Sequence, residues 1–325
     1  MIDELRALSS IRERFKNVSK SVAVGVGDDA AVVSINPGSY LVVSTDSHVS
    51  NVHFKKENIS PKLLARRSVA VSLSDIAAMG GVPKYILSSI GFSEEEDELY
   101  LDQLLEGFSL AEDEFEIELI GGNLTKAREL IIDITVLGEA DPDNIVKRFG
   151  AEVHDLVYVT GSLGDSSLGL KLIESEIDKK LCKSLIDRHL IPIPKLDIGR
   201  DLANRGLVSS MIDVSDGLIL DLERITVDQG LGAIIFLEKI PLSNSYIEYI
   251  NEYVDDTYSL ALSGGEDYEL LFTSPRGNEK EIELLSNEYQ LPITEIGYIN
   301  GGNLITVLDS KGEKVLINKR GHIHF

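Results

Sequence analysis

The sequence contains a single cysteine, Cys182, among its 325 residues. One thiol cannot build a disulfide framework within the chain or a four-thiolate zinc site, and this favours a reducing compartment. No apolar run approaches the roughly 20 residues that a membrane-spanning helix needs. The first residues also lack a basic stretch followed by an apolar core, so we expect no signal peptide. These absences predict a cytoplasmic protein that does not associate with membranes.

Basic residues are scarce relative to acidic ones. The chain has 31 Lys and Arg against 54 Asp and Glu, which gives a formal net charge of −23. A negative field of this size repels phosphate backbones and anionic lipid, so nucleic acids and membrane surfaces are unexpected partners. The sequence also lacks the Gly-Lys-Ser/Thr of a P-loop. If the substrate is nevertheless a phosphate, cations must lie between it and the protein.

Length and periodicity predict the fold class. At about 150 residues per domain, the chain is long enough for two domains. Strand and helix patterns are mixed in both halves, and the periodicity lapses between about residues 140 and 155. We therefore predict an α/β or α+β protein with an N-terminal domain at 1–145 and a C-terminal domain at 146–325.

Acidic and hydroxyl side chains recur where apolar strands end. The turn at 27–30 carries Asp29, and an apolar strand runs into Ser44, Thr45 and Asp46. Carboxylate and hydroxyl oxygens are the ligands that Mg²⁺ prefers. Each group also has a purely structural interpretation, because Asp, Ser and Thr are common turn and cap residues.

The segment 211–218 allows the same two interpretations. Asp213 and Ser215 alternate with apolar residues and are expected to share a strand face. Ser215 or Asp216 can cap the helix that begins near Gly217. A metal or nucleotide site and a helix cap remain equally open here.

Asp75 is the single acid that points most clearly to function. It lies in a helix predicted from Ser60, as N-cap before a proline, to about Met79. The residues around it are almost wholly apolar, so the helix should be buried. A buried carboxylate costs several kcal/mol unless it is paired or binds a metal.

A glycine pair marks a second kind of candidate site. Gly121, Gly122 and Asn123 follow an apolar stretch, and we predict a strand that runs into a glycine turn. Such a turn lets backbone N–H groups approach a phosphate, although Asn in a left-handed turn explains it equally well. The glycine turn at 161–166 could likewise hold a phosphate or simply open a helix.

The collection of acidic turns is more informative than any one of them. Phosphoryl transfer needs positioning and charge neutralisation more than covalent chemistry. Carboxylates that hold two or more Mg²⁺ ions around a nucleoside triphosphate would provide both in an acidic protein.

Five segments share the order and spacing of one known family. They are Gly-Asp-Asp-Ala at 27–30, Ser-Thr-Asp at 44–46 with Val-His-Phe at 52–54, Leu-Ser-Asp-Ile-Ala-Ala-Met-Gly at 73–80, Ile-Asp-Val-Ser-Asp-Gly-Leu at 212–218 and Ser-Gly-Gly-Glu-Asp-Tyr-Glu-Leu at 263–270. Over nearly the whole chain, the sequence resembles the thiamine-monophosphate kinases. These belong to the PurM-like superfamily, which includes aminoimidazole ribonucleotide synthetase.

The resemblance implies an activity and a set of site residues. The implied reaction transfers the γ-phosphoryl group of ATP directly to thiamine monophosphate, with several Mg²⁺ ions and no covalent intermediate. The implied Mg²⁺ ligands are Asp29, Ser44, Thr45, Asp46, Asp75, Asp213, Asp216 and, weakly, Asn123. The implied ATP contacts are Gly121, Gly122, Asn123, Arg148 and Ser215. The implied contacts to thiamine monophosphate are His53, Glu266 and His322.

The resemblance also implies an architecture and a homodimer. The N-terminal mixed sheets with their helices would form a barrel that spans the two subunits. Each C-terminal α/β domain would close over the substrate.

Two residues depart from the family pattern. Asn123 stands where the family has a ligating Asp, and its neutral amide should bind metal more weakly. His322 stands where the family usually has Tyr or Trp against the substrate. Two alternatives follow: an enzyme like aminoimidazole ribonucleotide synthetase, or a nucleotide- and Mg²⁺-binding module whose catalysis is weakened by Asn123.

Overall fold

The computed structural model describes residues 22–24, 31–36, 38–175, 182–253, 256–317 and 319–322. Asp29 and the rest of the 27–30 motif lie outside these ranges, so the expected role of Asp29 as a Mg²⁺ ligand stays a prediction. None of the helices in the described ranges is both long and apolar enough to cross a membrane.

The first half of the described chain forms a six-stranded mixed sheet with two helices. The strand order is β1-β2-β3-β6-β4-β5, and only β4 and β5 run parallel. The elements are β1 (Val22–Val24), β2 (Ala31–Asn36), β3 (Ser39–Val49), α1 (Pro61–Ala78), β4 (Val82–Phe92), α2 (Glu98–Phe115), β5 (Glu118–Lys126) and β6 (Ile131–Ala140).

The second half forms another six-stranded mixed sheet, flanked by helices. The strand order is β12-β9-β11-β7-β10-β8, and only β9 and β12 run parallel. The elements are β7 (Leu156–Thr160), α3 (Asp165–Glu174), α4 (Lys183–Leu190), α5 (Leu196–Asn204), β8 (Ser210–Asp213), α6 (Leu218–Thr226), β9 (Gly232–Phe236), α7 (Asn244–Tyr253), α8 (Ser259–Ser263), β10 (Leu270–Ser274), α9 (Glu279–Tyr289), β11 (Ile293–Asn300) and β12 (Ile305–Leu308).

Two mixed sheets with helices confirm the predicted α/β fold class. The first sheet is open within one chain, because β1 and β5 form its two edges in the described residues. The described strands of one chain therefore do not close into a barrel.

Helix α1 is the element that joins the two halves. It begins as the sequence predicts, since Ser60 Oγ accepts a hydrogen bond from the Leu63 amide at 3.4 Å and Pro61 occupies the first turn. It ends before Gly80, whose φ of +69° is left-handed. One side packs on β3 and β6, and another contacts β8 and α5. This burial on several sides places its polar residues between the sheets.

Two motifs lie in strands where the sequence analysis expected strand ends or a turn. Strand β3 continues to Val49, so Ser44, Thr45 and Asp46 occupy its middle. The pair Gly121-Gly122 lies inside β5, where the register against β4 shifts between Ile86 and Leu87. A Cβ on Gly122 would lie 1.9 Å from the Ser88 carbonyl oxygen. The glycines thus allow close strand pairing at a bulge rather than a turn.

Candidate active site

Three acids from three elements meet around α1. Asp46 comes from β3, Asp75 from α1 and Asp213 from the end of β8. Burial raises the pKa of Asp46 to about 6, and the charge of Asp213 adds to this effect. Burial also raises the pKa of Asp75 well above its ordinary value, reinforced by Asp46 and Asp213. These carboxylates resist ionising together, so a bound cation would stabilise their charged forms.

The hydroxyl residues beside Asp46 separate onto two faces of β3. Ser44 is buried and donates a hydrogen bond to Asp75 Oδ2. Thr45 is exposed, and its hydroxyl bonds to the Ile134 carbonyl at 3.1 Å and to Thr135 Oγ1 at 3.0 Å, both on β6. Successive side chains alternate along a strand. Ser44 and Asp46 therefore lie on the face of β3 that is turned towards Asp75, whereas Thr45 lies on the opposite face. Of these three predicted ligands, the structure brings only Ser44 and Asp46 to the side of Asp75.

The three acids lie close together, but they do not by themselves form a complete metal-binding site. Within the described ranges, no group of three or more His, Cys, Asp or Glu side chains is arranged to hold one ion. Mg²⁺ commonly takes only one or two carboxylates and completes its octahedron with water and substrate phosphate oxygens. The buried carboxylates and the Ser44 hydroxyl fit that requirement, because they are hard oxygen donors with unbalanced negative charge.

Asp221 organises the loop at 214–217, and the sequence analysis missed it. Its Oδ2 accepts hydrogen bonds from the amides of Ser215 at 3.1 Å and of Asp216 and Gly217 at 3.0 Å each. Of the two interpretations left open for this segment, the capping of α6 by Ser215 or Asp216 is therefore not observed. Gly217, with φ +125°, is the N-cap and makes no side-chain cap bond. A carboxylate in the first helical turn was the available signal, although such residues are common.

Arginines supply positive charge beside these acids. Arg224 Nη1 lies 2.6 Å from Asp221 Oδ1, and Nη2 of the same guanidinium pairs with Asp216. Burial raises the pKa of Asp213, whereas Arg148 and Arg224 lower it. Arg148, a predicted ATP contact, therefore faces the acid cluster, and Arg224 is a second site residue that sequence reasoning missed.

The C-terminal segment holds His322 against the same loop. The His322 amide donates to the Asp216 carbonyl oxygen at 2.9 Å, and the His322 side chain is exposed. A Cβ on Gly321 would lie 2.7 Å from that same oxygen, so the chain can pass this close only as glycine. The structure thus brings His322 beside Asp216.

Of the other two predicted substrate residues, His53 lines a small cavity and Glu266 contacts a residue of the cavity wall. A cavity of about 180 Å³ between the two halves is lined in part by His53, Arg67 and His189. His53 Nδ1 accepts a hydrogen bond from the Val49 amide at 3.0 Å, which leaves the ring proton of the neutral imidazole on Nε2. Glu266 forms an ion pair with Arg67 at 2.6 Å. His53 and Glu266 thus flank one region at the junction of the halves.

The predicted ATP-binding glycines lie away from the acids within one chain. In the sheet register, Asp46 faces Ile134, Ile134 faces Ser88, and Ser88 faces Gly122. Three strand spacings of about 4.8 Å separate Asp46 from Gly122 by about 14 Å. Gly121, Gly122 and Asn123 are all exposed on the edge strand β5. The single chain does not bring them to Asp46.

The glycine turn at 161–166 has a structural role. Asp267 accepts hydrogen bonds from the amides of Gly164 at 2.6 Å and Ser166 at 3.1 Å at the start of α3. A carboxylate of the protein therefore occupies the helix end that the sequence analysis considered for a phosphate.

Comparison with known proteins identifies the family. Family models match residues 27–140, as AIR synthase related protein, N-terminal domain, and residues 152–310, as AIR synthase related protein, C-terminal domain. A thiamine-monophosphate kinase of Buchnera aphidicola subsp. Schizaphis graminum is 36% identical over 99% of each chain. One from Haemophilus influenzae is 38% identical over 87% of this chain and 85% of its own. This chain belongs to the thiamine-monophosphate kinase family.

A solved structure of this family supports the fold at full length. The structure of AaThiL complexed with AMPPCP and TMP matches with a TM-score of 0.85 at 32% identity, covering 99% of this chain and 97% of that chain. The family membership predicted from the five motifs is therefore confirmed.

We expect Asp221→Ala to destabilise the protein. The change leaves three backbone amides without an acceptor and removes one partner of Arg224, which should lower the free energy of unfolding by about 2 to 5 kcal/mol. Denaturant unfolding measures this, with exposed Asp143 as the control: Asp143→Ala should change it by less than about 0.5 kcal/mol. Equal effects of the two substitutions would contradict the role given to Asp221.

We expect His189 to make the protein less stable in acid. Burial lowers the pKa of this imidazole to about 4, whereas an unfolded histidine titrates near 6.5. The unfolded state therefore binds the extra proton between these values, so stability is full above about pH 6.5 and is lost as the pH falls towards about 4.

The loss attributable to His189 should reach about 3 kcal/mol. Unfolding of the wild type and of His189→Gln at several pH values measures it, because glutamine does not titrate. The two proteins would have parallel pH profiles if His189 were already protonated in the folded state.

Proposed function

We propose that the protein transfers the γ-phosphoryl group of ATP to thiamine monophosphate and forms thiamine diphosphate and ADP. The observation that carries this proposal is the convergence of Asp46, Asp75 and Asp213 around α1, the helix whose Arg67 lines the same cavity as His53. An acidic chain can bring two anionic reactants together only where cations neutralise them. The relatives are named thiamine-monophosphate kinases, and the AaThiL structure was complexed with AMPPCP and TMP.

Magnesium is the cation that this site fits best. The proposed ligands are Asp46, Asp75, Asp213, Asp216 and Ser44, with Asp29 and Asn123 added from the family pattern. Thr45 is the least suited member of the predicted set, because its hydroxyl bonds to β6. When bound, the ions would neutralise the phosphate charge that develops during transfer.

The protein's own residues would hold and orient the two reactants. Arg148 and Ser215 lie beside the acids and would contact ATP. His53 would donate from Nε2, and Glu266 would accept, on opposite sides of thiamine monophosphate. His322 would cover the substrate beside Asp216. Transfer would be direct and in line, with no covalent step on the enzyme.

The two halves would divide this work. We propose that 1–145 binds ATP and Mg²⁺ and forms the dimer, and that 146–325 closes over the substrate in the cytoplasm. Because α1 packs against both sheets, relative movement of the halves would alter the distance between His53 and Glu266.

A second copy of the chain would complete the site. Strand β5 is an edge strand whose Ile120 and Leu124 are 53% and 60% exposed. Exposed apolar edge strands are normally covered. We propose that a homodimer formed through this edge brings Asn123 of one subunit to Asp46 of the other, since within one chain Gly122, the neighbour of Asn123, lies about 14 Å from Asp46.

The enzymatic proposal is tested by measuring thiamine diphosphate formation at millimolar Mg²⁺. We expect the wild type to convert thiamine monophosphate and ATP. We expect Asp75→Asn to lower kcat by about 100-fold or more, because the buried metal-binding charge is lost. Glu283→Gln, on an exposed face of α9, is the control and should retain full activity.

A wild-type protein without product would contradict the kinase proposal. Calorimetry would then separate the alternatives, since ATP binding without turnover identifies a nucleotide-binding module. Conversion of the substrate of aminoimidazole ribonucleotide synthetase would identify an enzyme like that synthetase.

The shared site is tested by complementation between two inactive variants. We expect Asp46→Ala and Asn123→Arg each to abolish activity when expressed alone. A mixed dimer would contain one site with both changes and one intact site. Random pairing on co-expression should therefore restore about a quarter of the wild-type sites. A site built within each chain would give no restoration, and an active Asn123→Arg protein would place Asn123 outside the site.

A further inference from the structure

Two consecutive arginines are buried on α1, and they serve different partners. Arg66 and Arg67 are 1% and 2% exposed. Arg66 Nε donates to Glu114 Oε2 on α2 at 2.9 Å, and its Nη1 donates to the Pro192 carbonyl. Buried arginines are rare unless they are fully paired. Arg66 therefore links α1 to α2 and to the chain at Pro192. Arg67, its neighbour in the sequence, reaches the candidate site.

Arg67 binds one oxygen of the Glu266 carboxylate, and the His189 ring lies close to the other. Arg67 Nη2 donates to Glu266 Oε1 at 2.6 Å, and its Nε donates to the His189 carbonyl at 3.0 Å. The His189 ring places Nδ1 at 3.4 Å from Glu266 Oε2 and at 3.1 Å from Ser166 Oγ. We call Arg67 and His189 together the clamp. The clamp links α1 to α4 and to the loop that carries Glu266.

The backbone of Glu266 is constrained as well. Its φ of +66° is left-handed, which a non-glycine residue adopts only where its surroundings require it. The Glu266 amide donates to the Ser215 carbonyl at 2.8 Å. Both ends of this residue are fixed, yet 30% of its side chain remains exposed. The carboxylate is thus presented in one direction rather than buried as part of the core.

The two residues that lie against this carboxylate also line a cavity, whose wall does not include Glu266 itself. Arg67 and His189 line the cavity of about 180 Å³ together with His53. Thiamine monophosphate offers a cationic thiazolium ring and an aminopyrimidine, and an oriented carboxylate suits both. Neither Arg67 nor His189 stood among the residues expected to contact ligands.

We propose that Arg67 and His189 are positioning residues, which fix the direction of the Glu266 carboxylate so that it receives thiamine monophosphate. This rests on the proposed function, because it assumes that Glu266 contacts that substrate. Arg67 lies in the N-terminal half, whereas Glu266 and His189 lie in the C-terminal half. Substrate recognition at Glu266 thus depends on the two halves being correctly docked.

The pKa of the Glu266 carboxyl agrees with its position beside Arg67. Burial would raise the pKa of Glu266, but Arg67, His189 and His48 hold it at about 2. Tyr268 lies in the same region, where burial raises the pKa of its phenol and the charges of Glu266, Asp46 and Asp213 add to this effect. Burial lowers the pKa of His189, and the charge of Glu174 also acts on this ring and opposes the lowering. Arg67 is therefore the one permanent positive charge described next to this carboxylate, and its removal should raise the pKa of Glu266.

The test compares three variants at one pair of positions. We expect Arg67→Met to raise KM for thiamine monophosphate by about 10- to 100-fold, with KM for ATP changed less than about twofold. Its kcat/KM should also fall as the pH drops below about 7, because protonated Glu266 no longer accepts. Arg67→Lys retains the charge and should restore the wild-type pH profile, but only part of the affinity, since the two-point guanidinium contact is lost.

Arg66→Met is the matched control, because it removes an equally buried arginine from the adjacent position. It should lower the free energy of unfolding. The pH profile of kcat/KM should stay unchanged, and any change in KM should be similar for thiamine monophosphate and for ATP. If Arg67→Met behaves like Arg66→Met in all these readouts, Arg67 is structural and the inference is overturned.

A second readout does not require turnover. The carboxyl carbon signal of Glu266, assigned by its loss in Glu266→Gln, should not titrate between about pH 5 and 8 in the wild type and should titrate there in Arg67→Met. An unchanged signal overturns the clamp even if the kinase is active. A shifted signal in a protein that neither binds nor converts thiamine monophosphate supports the clamp, overturns its link to that substrate and contradicts the proposed function.

Discussion

The burial of charge on one helix is the constraint on which the site depends. Helix α1 packs on the first sheet and contacts elements of the second half, yet it carries Arg66, Arg67 and Asp75. Each charged group in such surroundings must find a partner or lose its charge. Arg66 pairs with Glu114, and Arg67 pairs with Glu266. Asp75 instead has Ser44 and two further acids beside it, and it is therefore the charged residue of α1 for which we propose a bound cation as the partner.

The same helix sets the distance between the proposed substrate residues and the proposed metal ligands. Helix α1 presents Arg67 towards the cavity and Asp75 towards Asp46 and Asp213. Two turns separate these residues, which corresponds to about 12 Å along the axis. The proposed substrate site and metal site are therefore spaced by the pitch of one rigid element. Docking of the C-terminal half on this helix then supplies Asp213 and Glu266.

Sequence reasoning was most successful where the signal was local. The cap at Ser60, the apolar pattern of α1 and the anomaly of Asp75 in it all follow from neighbouring residues. Reasoning failed where strand pairing decided the outcome. The end of β3 could not be located, because Ser44, Thr45 and Asp46 are polar on both faces and the pairing with β6 carries the strand to Val49. Asp221 was missed for a related reason, since its three amide partners are known only once the loop has folded around it.

The amino-acid sequence alone determined the fold class, the family and the acidic character that demands cations, because composition, periodicity and motif spacing are properties of the chain itself. Tertiary structure alone decided which side chains share a site. It set Thr45 apart from Ser44, placed Asn123 at a distant edge and joined Arg67 to Glu266 across 199 residues. Those outcomes depend on strand register and on the docking of two sheets against one helix, which act over distances in the sequence that no local pattern records.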